Sequence, residues 1–267
     1  MIFYKKRDEL VRQADHVSRF DAESDKREAM YGLPKNVAFC TRCVISNQRP
    51  NSTVEFEHTR NSNKTTIFLD DKGVCDACRT AEAKRSEIDW HQREAQLWEL
   101  CDRYRKDGVG YDCLVPGSGG KDSFYAAHVL KHKYGMSPLT VTWAPHLYTP
   151  WGWDNFQAWI NAGFDNYLMT PNARVHRLIT RLAVENLFHP FQPFMLGQKA
   201  LAPKMAALFD IPLVFYGENE AEYGNPTQDT QSAERDWSYF TREDESKIFL
   251  GGVSVELLQA EFGFQKV

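Results

Sequence analysis

The sequence predicts an α/β fold: a parallel sheet with helices on both faces, preceded by a small cysteine-bearing module. Three observations carry this expectation. From Tyr111 onward, short apolar runs alternate with longer stretches of helical composition, which is the rhythm of repeated strand–helix–strand units. A glycine-rich segment stands at the first strand-to-helix junction. Ahead of it, four of the six cysteines fall into two Cys-x-x-Cys pairs.

Taken in order, residues 1–36 are polar and charged, with a turn at Gly32-Leu-Pro34, and read as an N-terminal extension. Residues 37–80 hold the paired cysteines between strand-like pieces such as Thr65-Thr-Ile-Phe-Leu69. From Asp76 to about Lys106 the composition is helical, with apolar residues at Ile88, Leu97, Leu100 and Tyr104. One long helix is expected there, and its part within residues 81–110 links the module to the α/β domain, residues 111–267. In that domain strands are expected at Asp112–Val115, Leu139–Trp143, Asn166–Met169 and Pro212–Tyr216. The helices fall at Ser123–Tyr134, about Asn155–Asn161, Ala173–Leu187 and about Gly197–Phe209.

Composition narrows the class. Apolar residues at 42% and charged residues at 25% are ordinary for a soluble globular chain. No stretch approaches a membrane span, so a cytoplasmic protein is expected. A net charge of −4 gives no general pull toward nucleic acid. In a reducing compartment the cysteines read as thiols or metal ligands before disulfides.

Cys40-Thr-Arg-Cys43 and Cys75-Asp-Ala-Cys78 are two such pairs. A two-residue spacing lets both thiolates of a turn reach one ion, and two turns complete a tetrahedral S4 site. The intervening stretch, residues 44–74, is longer than in the common ribbon patterns and implies an insertion within the hairpin. Zinc and an iron–sulfur cluster both suit four thiolates; zinc is favoured because nothing else in the chain suggests redox work. With every position filled by protein, such a zinc is structural. Cys113, inside a strand pattern, reads as a small buried apolar residue.

The strongest chemical signal is Pro116-Gly-Ser-Gly-Gly-Lys-Asp-Ser123 between a strand and a helix. It is not a Walker A loop, because the position of its first glycine holds Val115 and the lysine is followed by Asp122. The same physics applies to a shorter loop. Gly119 and Gly120 let backbone N–H groups approach phosphate oxygens, and the helix N-terminus adds partial positive charge. Ser118 and Ser123 can donate hydroxyl hydrogen bonds, and Lys121 supplies a full charge. Asp122 would repel phosphate directly, which suits it to Mg2+ or to bracing the loop.

Ser118-Gly-Gly-Lys-Asp-Ser123 in this setting resembles the loop of the PP-loop ATP pyrophosphatases, an adenine nucleotide α-hydrolase-like fold. The resemblance implies that the loop holds the pyrophosphate of ATP while a substrate oxygen attacks the α-phosphorus. A second superfamily feature, Gly-x-Asn-x-x-Glu after a late strand, is matched by Gly217, Asn219 and Glu222. Further segments resemble the N-acetyl sugar amidotransferases of surface-polysaccharide and flagellin-glycan biosynthesis. They are Phe39–Pro50, Gly73–Arg79, the loop, Leu139–His146, His189–Phe194, Gly197-Gln-Lys199 and Tyr216–Pro226.

That resemblance implies replacement of an acetamido oxygen by nitrogen on an acidic or nucleotide-linked diacetamido sugar. AMP and pyrophosphate would be released. Ammonia is expected from a separate glutaminase subunit like that of histidine biosynthesis, with a cyclase-like partner. Family members continue beyond the point where this chain stops, so the α/β domain is expected either as a short variant or as a piece that lacks its C-terminal part. Two other readings stand beside it: a zinc-ribbon tRNA thiolation enzyme, and a non-catalytic protein that binds nucleotide and zinc. The absence of any cysteine after Cys113 weighs against sulfur transfer.

For ATP and Mg2+ the expected residues are Ser118, Gly119, Gly120, Lys121, Asp122 and Ser123, with Gly217, Asn219 and Glu222 closing the site. Trp143, ending the second strand, reads either as an adenine contact or as a core aromatic. His146, Gln198 and Lys199 are candidates for substrate or phosphate contact. Lys199 in particular can neutralise charge building on the α-phosphate.

Overall fold

Four strands form the parallel sheet that the alternation predicts: β1 Cys113–Pro116, β2 Pro138–Trp143, β3 Asn166–Met169 and β4 Leu213–Val214. Their order is β3-β2-β1-β4, and every pairing is parallel. The computed structural model describes residues 29–51, 54–106, 108–219, 238, 240 and 242–263. These fall into two compact units. The sheet unit takes Thr80–Ala173 and the described residues of Phe194–Tyr223. The cysteine-bearing unit takes the described residues up to Arg79, Arg174–Pro193 and those within Gly224–Val267.

Two helices, α1 Asp76–Ser86 and α2 Trp90–Tyr104, stand where one long helix was expected. The break has a local cause: the Asp89 side chain accepts from the amides of His91 and Gln92 and caps a new helix. A side chain that satisfies orphan amides makes a fresh start cheaper than continuation. The remaining helices are α3 Lys121–His132, α4 Pro150–Asn161, α5 Ala173–Leu187 and α6 Gln192–Leu208. Helix α4 begins earlier than its composition suggests, because Thr149 caps it and Pro150 suits the first turn.

In the sheet unit, strand alternation sorts the core into two layers. Cys113 and Val115 of β1 pack with Cys101, Ala127, Leu130, Phe156 and Trp159 from α2, α3 and α4. Leu114, with Leu139 and Val141 of β2, packs against Leu201, Ala202 and Met205 of α6. Successive side chains of a strand point to opposite faces, so a sheet buried on both faces needs apolar residues at consecutive positions. β1 supplies them. On the other face of β2, Thr140 and Thr142 are fully buried. Their hydroxyls donate to Asp165 O (2.8 Å) and Gly117 O (2.7 Å), and the Asn166 amide donates to both.

The cysteine-bearing unit includes a hairpin, β5 Phe249–Leu250 and β6 Val253–Ser254, followed by α7 Val255–Phe262. Gly251 and Gly252 both have positive φ (63° and 75°), as a tight two-residue hairpin turn requires. Leu182 of α5 packs with Leu258 and Phe262 of α7.

A buried carboxylate holds this unit together. Glu55 is 2% exposed. Its Oε2 lies 3.3 Å from His58 Nδ1, 3.6 Å from His189 Nε2 and 4.0 Å from Lys64 Nζ. Gln192, wholly buried, donates to Glu55 O and accepts from the Gly251 amide. Burial pushes the Glu55 pKa up, but hydrogen bonds from His189 and His58 and the charge of Lys64 outweigh it and hold the carboxyl at about 2. An ordinary carboxyl of this kind titrates near 4.5, so the carboxylate stabilises the fold fully above that pH. This contribution is lost as the pH falls toward 2. Glu55→Gln removes the buried charge on which His58, His189 and Lys64 converge and should cost about 3 kcal/mol at neutral pH. Urea unfolding of both proteins at pH 7 and pH 3 checks this: the gap should narrow in acid, and a pH-independent gap would refute the assignment.

Candidate functional site

The cysteine tetrad is assembled by two turns. The Asp70 carboxylate accepts from the amides of Lys72 and Val74, and Gly73, at φ 73°, turns the chain into Cys75. Thr41 binds that turn twice, through its amide to Gly73 O (2.9 Å) and its hydroxyl to Lys72 O (3.1 Å). The sulfurs of Cys40, Cys43, Cys75 and Cys78 consequently all lie within 4.8 Å of one another. Cys40 Sγ is 4.0 Å from Cys78 Sγ, and Cys43 Sγ is 3.6 Å from Cys75 Sγ. A tetrahedral S4 site with metal–sulfur bonds of about 2.3 Å has edges of about 3.8 Å, midway between those two distances.

The electrostatics fit a cation. Burial disfavours the Cys40 thiolate, but amide donors from Arg42, Cys75 and Cys43 prevail and bring its pKa down to about 6. Cys78 moves the other way, to about 12, through burial and the neighbouring thiols. Four clustered thiols cannot all ionise against one another, and a divalent ion relieves that repulsion. The four cysteines can hold a metal ion.

In the sheet unit, the glycine-rich loop leaves the carboxyl end of the central strand β1 and runs into α3. Gly117 is fixed to β2 by its amide to Val141 O (2.9 Å) and by the Thr142 hydroxyl. Gly119 has φ 87°, and a β-carbon there would lie 2.2 Å from the Asn155 carbonyl oxygen. Only glycine fits both constraints. Gly120 is the N-cap of α3, and no side chain caps the helix. A β-carbon at Gly120 would meet nothing within 4 Å. The space beside Gly120 at the start of α3 is therefore open, and an uncapped helix N-terminus is a place where anions bind. Lys121 is 87% exposed and its ammonium lies 2.6 Å from Asp122 Oδ1. Such an exposed pair is weakly held and free to re-form around a ligand.

After β4 the chain returns to the same place. A β-carbon on Gly217 would sit 2.6 Å from the Ser123 amide nitrogen and 2.8 Å from the Asp122 carbonyl carbon. The segment following β4 is thus pressed onto the start of α3. Because β2 and β3 lie on one side of β1 and β4 on the other, the loop and the Gly217 segment flank the point where strand order reverses. Ligands of open parallel sheets bind at such switch points.

Trp143 ends β2 with its indole against Gly197 of α6, where a β-carbon would lie 2.1 Å from the ring. It packs on the α6-side core, and its Nε1 is buried with no hydrogen-bond partner among the described residues. The contact brings the turn bearing Gln198 and Lys199 to the carboxyl end of β2. His146 is exposed, with its ring 5.6 Å from that of Phe194. Asn219 is exposed, and Glu222 lies outside the described residues. Cys101 and Cys113 are fully buried, and burial pushes both thiols up. Sequence reasoning missed Asn155, whose carbonyl backs the loop, and the Glu55 cluster, whose only local trace is the Glu55–His58 spacing.

No family model matches the chain. A protein of Methanocaldococcus jannaschii, itself described as uncharacterized, is 32% identical to it over 84 residues, which is 32% of this chain and 29% of that protein. The chain therefore matches under a third of that relative's length. Among the described residues, no helix is long and apolar enough to cross a membrane.

Proposed function

We propose that this chain is a PP-loop ATP pyrophosphatase that transfers ammonia to an acetamido group of an acidic or nucleotide-linked diacetamido sugar in surface-glycan biosynthesis. A structural zinc would sit in its cysteine tetrad. The observation that carries the reading is the uncapped start of α3 at the sheet's switch point. There Gly120 leaves room for a phosphate and Gly217 closes against Ser123.

In this reading the amides of α3, Ser118, Ser123 and Lys121 hold the pyrophosphate of ATP. Asp122, released from Lys121, would hold Mg2+. The amide oxygen attacks the α-phosphorus and pyrophosphate leaves. Ammonia then adds to the activated carbon, and AMP departs with the former amide oxygen. Lys199 is assigned to the charge that builds on the α-phosphate. Ammonia would come from a glutaminase subunit with its cyclase-like partner.

The experiment supplies ATP, Mg2+, ammonium and a panel of diacetamido sugars, and follows nucleotides and sugars together by mass spectrometry. AMP and pyrophosphate should appear with a sugar in which one oxygen has become NH. Lys121→Ala, at an exposed position, should stay folded and lose turnover by about 100-fold or more. ADP in place of AMP would sink the assignment. Transfer of sulfur to tRNA is disfavoured, because both thiols of the sheet unit, Cys101 and Cys113, are wholly buried. AMP formed only with tRNA and a sulfur donor would reverse that preference.

A further inference from the structure

Away from the loop and the cysteine tetrad, one pair of side chains on α3 is arranged for coordination chemistry. His128 and His132 stand one helical turn apart, both exposed, with ring centroids 4.5 Å apart. No hydrogen bond to another described residue engages either imidazole. The neighbouring cations are committed elsewhere. Lys131 donates to Gly163 O and lies over the Phe164 ring, and Lys133 pairs with Glu94. Two imidazoles at i and i+4 can direct ring nitrogens at one ion, the spacing by which helical histidine pairs bind zinc.

His128 also lines a groove of about 390 Å3 with Gly119, Lys121, Phe124, Tyr125 and Asn155. We propose that His128 and His132 chelate one divalent transition-metal ion of the zinc, nickel and copper class, at an exchangeable site bordering this groove. Imidazole selects these borderline ions over Mg2+ and Ca2+, which prefer oxygen. The site differs in kind from the tetrad. Four thiolates there fill every position, whereas two imidazoles leave positions open to water or to an oxygen donor lying in the groove. Binding requires neutral rings and so competes with protons.

The test uses the full chain with its tetrad already loaded with zinc. Ni2+ is titrated by calorimetry without nucleotide, and zinc is measured in the same samples. We expect one saturable Ni2+ per chain with zinc retained. His128→Ala and His132→Ala should each weaken binding by about tenfold or more, while His91→Ala leaves it unchanged. Both variants are at exposed positions, and circular dichroism confirms that they remain folded. Unchanged Ni2+ binding in the two variants overturns the proposal. So does equal loss in His91→Ala, or Ni2+ uptake matched by zinc release.

Discussion

Cys75→Ser should abolish metal binding by the tetrad and unfold the segment that the four cysteines draw together. Cys75 is wholly buried, and its sulfur is within reach of three others. A serine hydroxyl is a poor replacement, because it does not ionise near neutral pH to match the lost thiolate. The local core cannot compensate. Its buried members are Cys40, Ile67 and Cys75, two of which belong to the tetrad. A core that small does not outweigh chain entropy without a cross-link or a metal. Metal content should fall from about one ion per chain toward zero, with a stability loss of several kcal/mol, on the order seen for structural zinc. Cys101→Ser, outside the tetrad, should keep its metal. Full occupancy in Cys75→Ser would remove the metal assignment. Iron with acid-labile sulfide, found in place of zinc in the unaltered protein, would change the identity of the group while leaving the ligands as they are.

Gly119→Ala and Gly120→Ala should both strongly impair the AMP formation proposed above, for different reasons that stability measurements separate. At Gly119 the backbone has φ 87°, and the new β-carbon would fall 2.2 Å from Asn155 O and 3.1 Å from the Phe156 amide nitrogen. Those atoms belong to helix backbone and cannot swing aside. The left-handed conformation adds about 1–2 kcal/mol of its own. The loop must move off α4, with loss of stability and about a 100-fold drop in turnover from misplacement alone. At Gly120 the backbone is extended (φ −63°, ψ 151°) and the β-carbon enters open space. The fold should change by no more than about 1 kcal/mol, yet the methyl group occupies the space proposed for phosphate. Thermal unfolding and AMP release measured on the same preparations give the comparison. A stable, fully active Gly120→Ala would show that no phosphate is held at the start of α3.

Much of the fold is legible in the sequence because it depends on neighbours in the chain. β3 and α5 lie where alternation and composition put them, at Asn166–Met169 and Ala173–Leu187. Apolar residues at consecutive positions in β1 match a strand buried on both faces. The break between α1 and α2 is hard to read because the helical composition continues across it, and the single aspartate that interrupts it is a small signal. The Gly251-Gly252 hairpin is not among the elements expected from the sequence, although its turn is local and carried by paired glycines between apolar residues. Trp143 is ambiguous in the sequence for a physical reason. An aromatic residue at the end of a central strand can face a ligand or a helix, and only the presence of Gly197 opposite the ring shows what it meets here.

Sequence alone determined the alternating elements, the glycine loop between β1 and α3, and the two cysteine pairs. Periodicity and spacing within a turn are set by bond geometry over a few residues. Tertiary structure decided which distant residues meet. Gly217 closes on Ser123 because β4 adds beside β1 on the side away from β2. Cys40 and Cys78 approach to 4.0 Å because the turn ending at Gly73 is bound by Thr41. Glu55 keeps its charge in the interior because distant His189 joins the nearby His58 and Lys64 around it. The Gly217–Ser123, Cys40–Cys78 and Glu55–His189 contacts join segments far apart along the chain, so they depend on how elements pack and on no pattern that a local stretch of sequence carries.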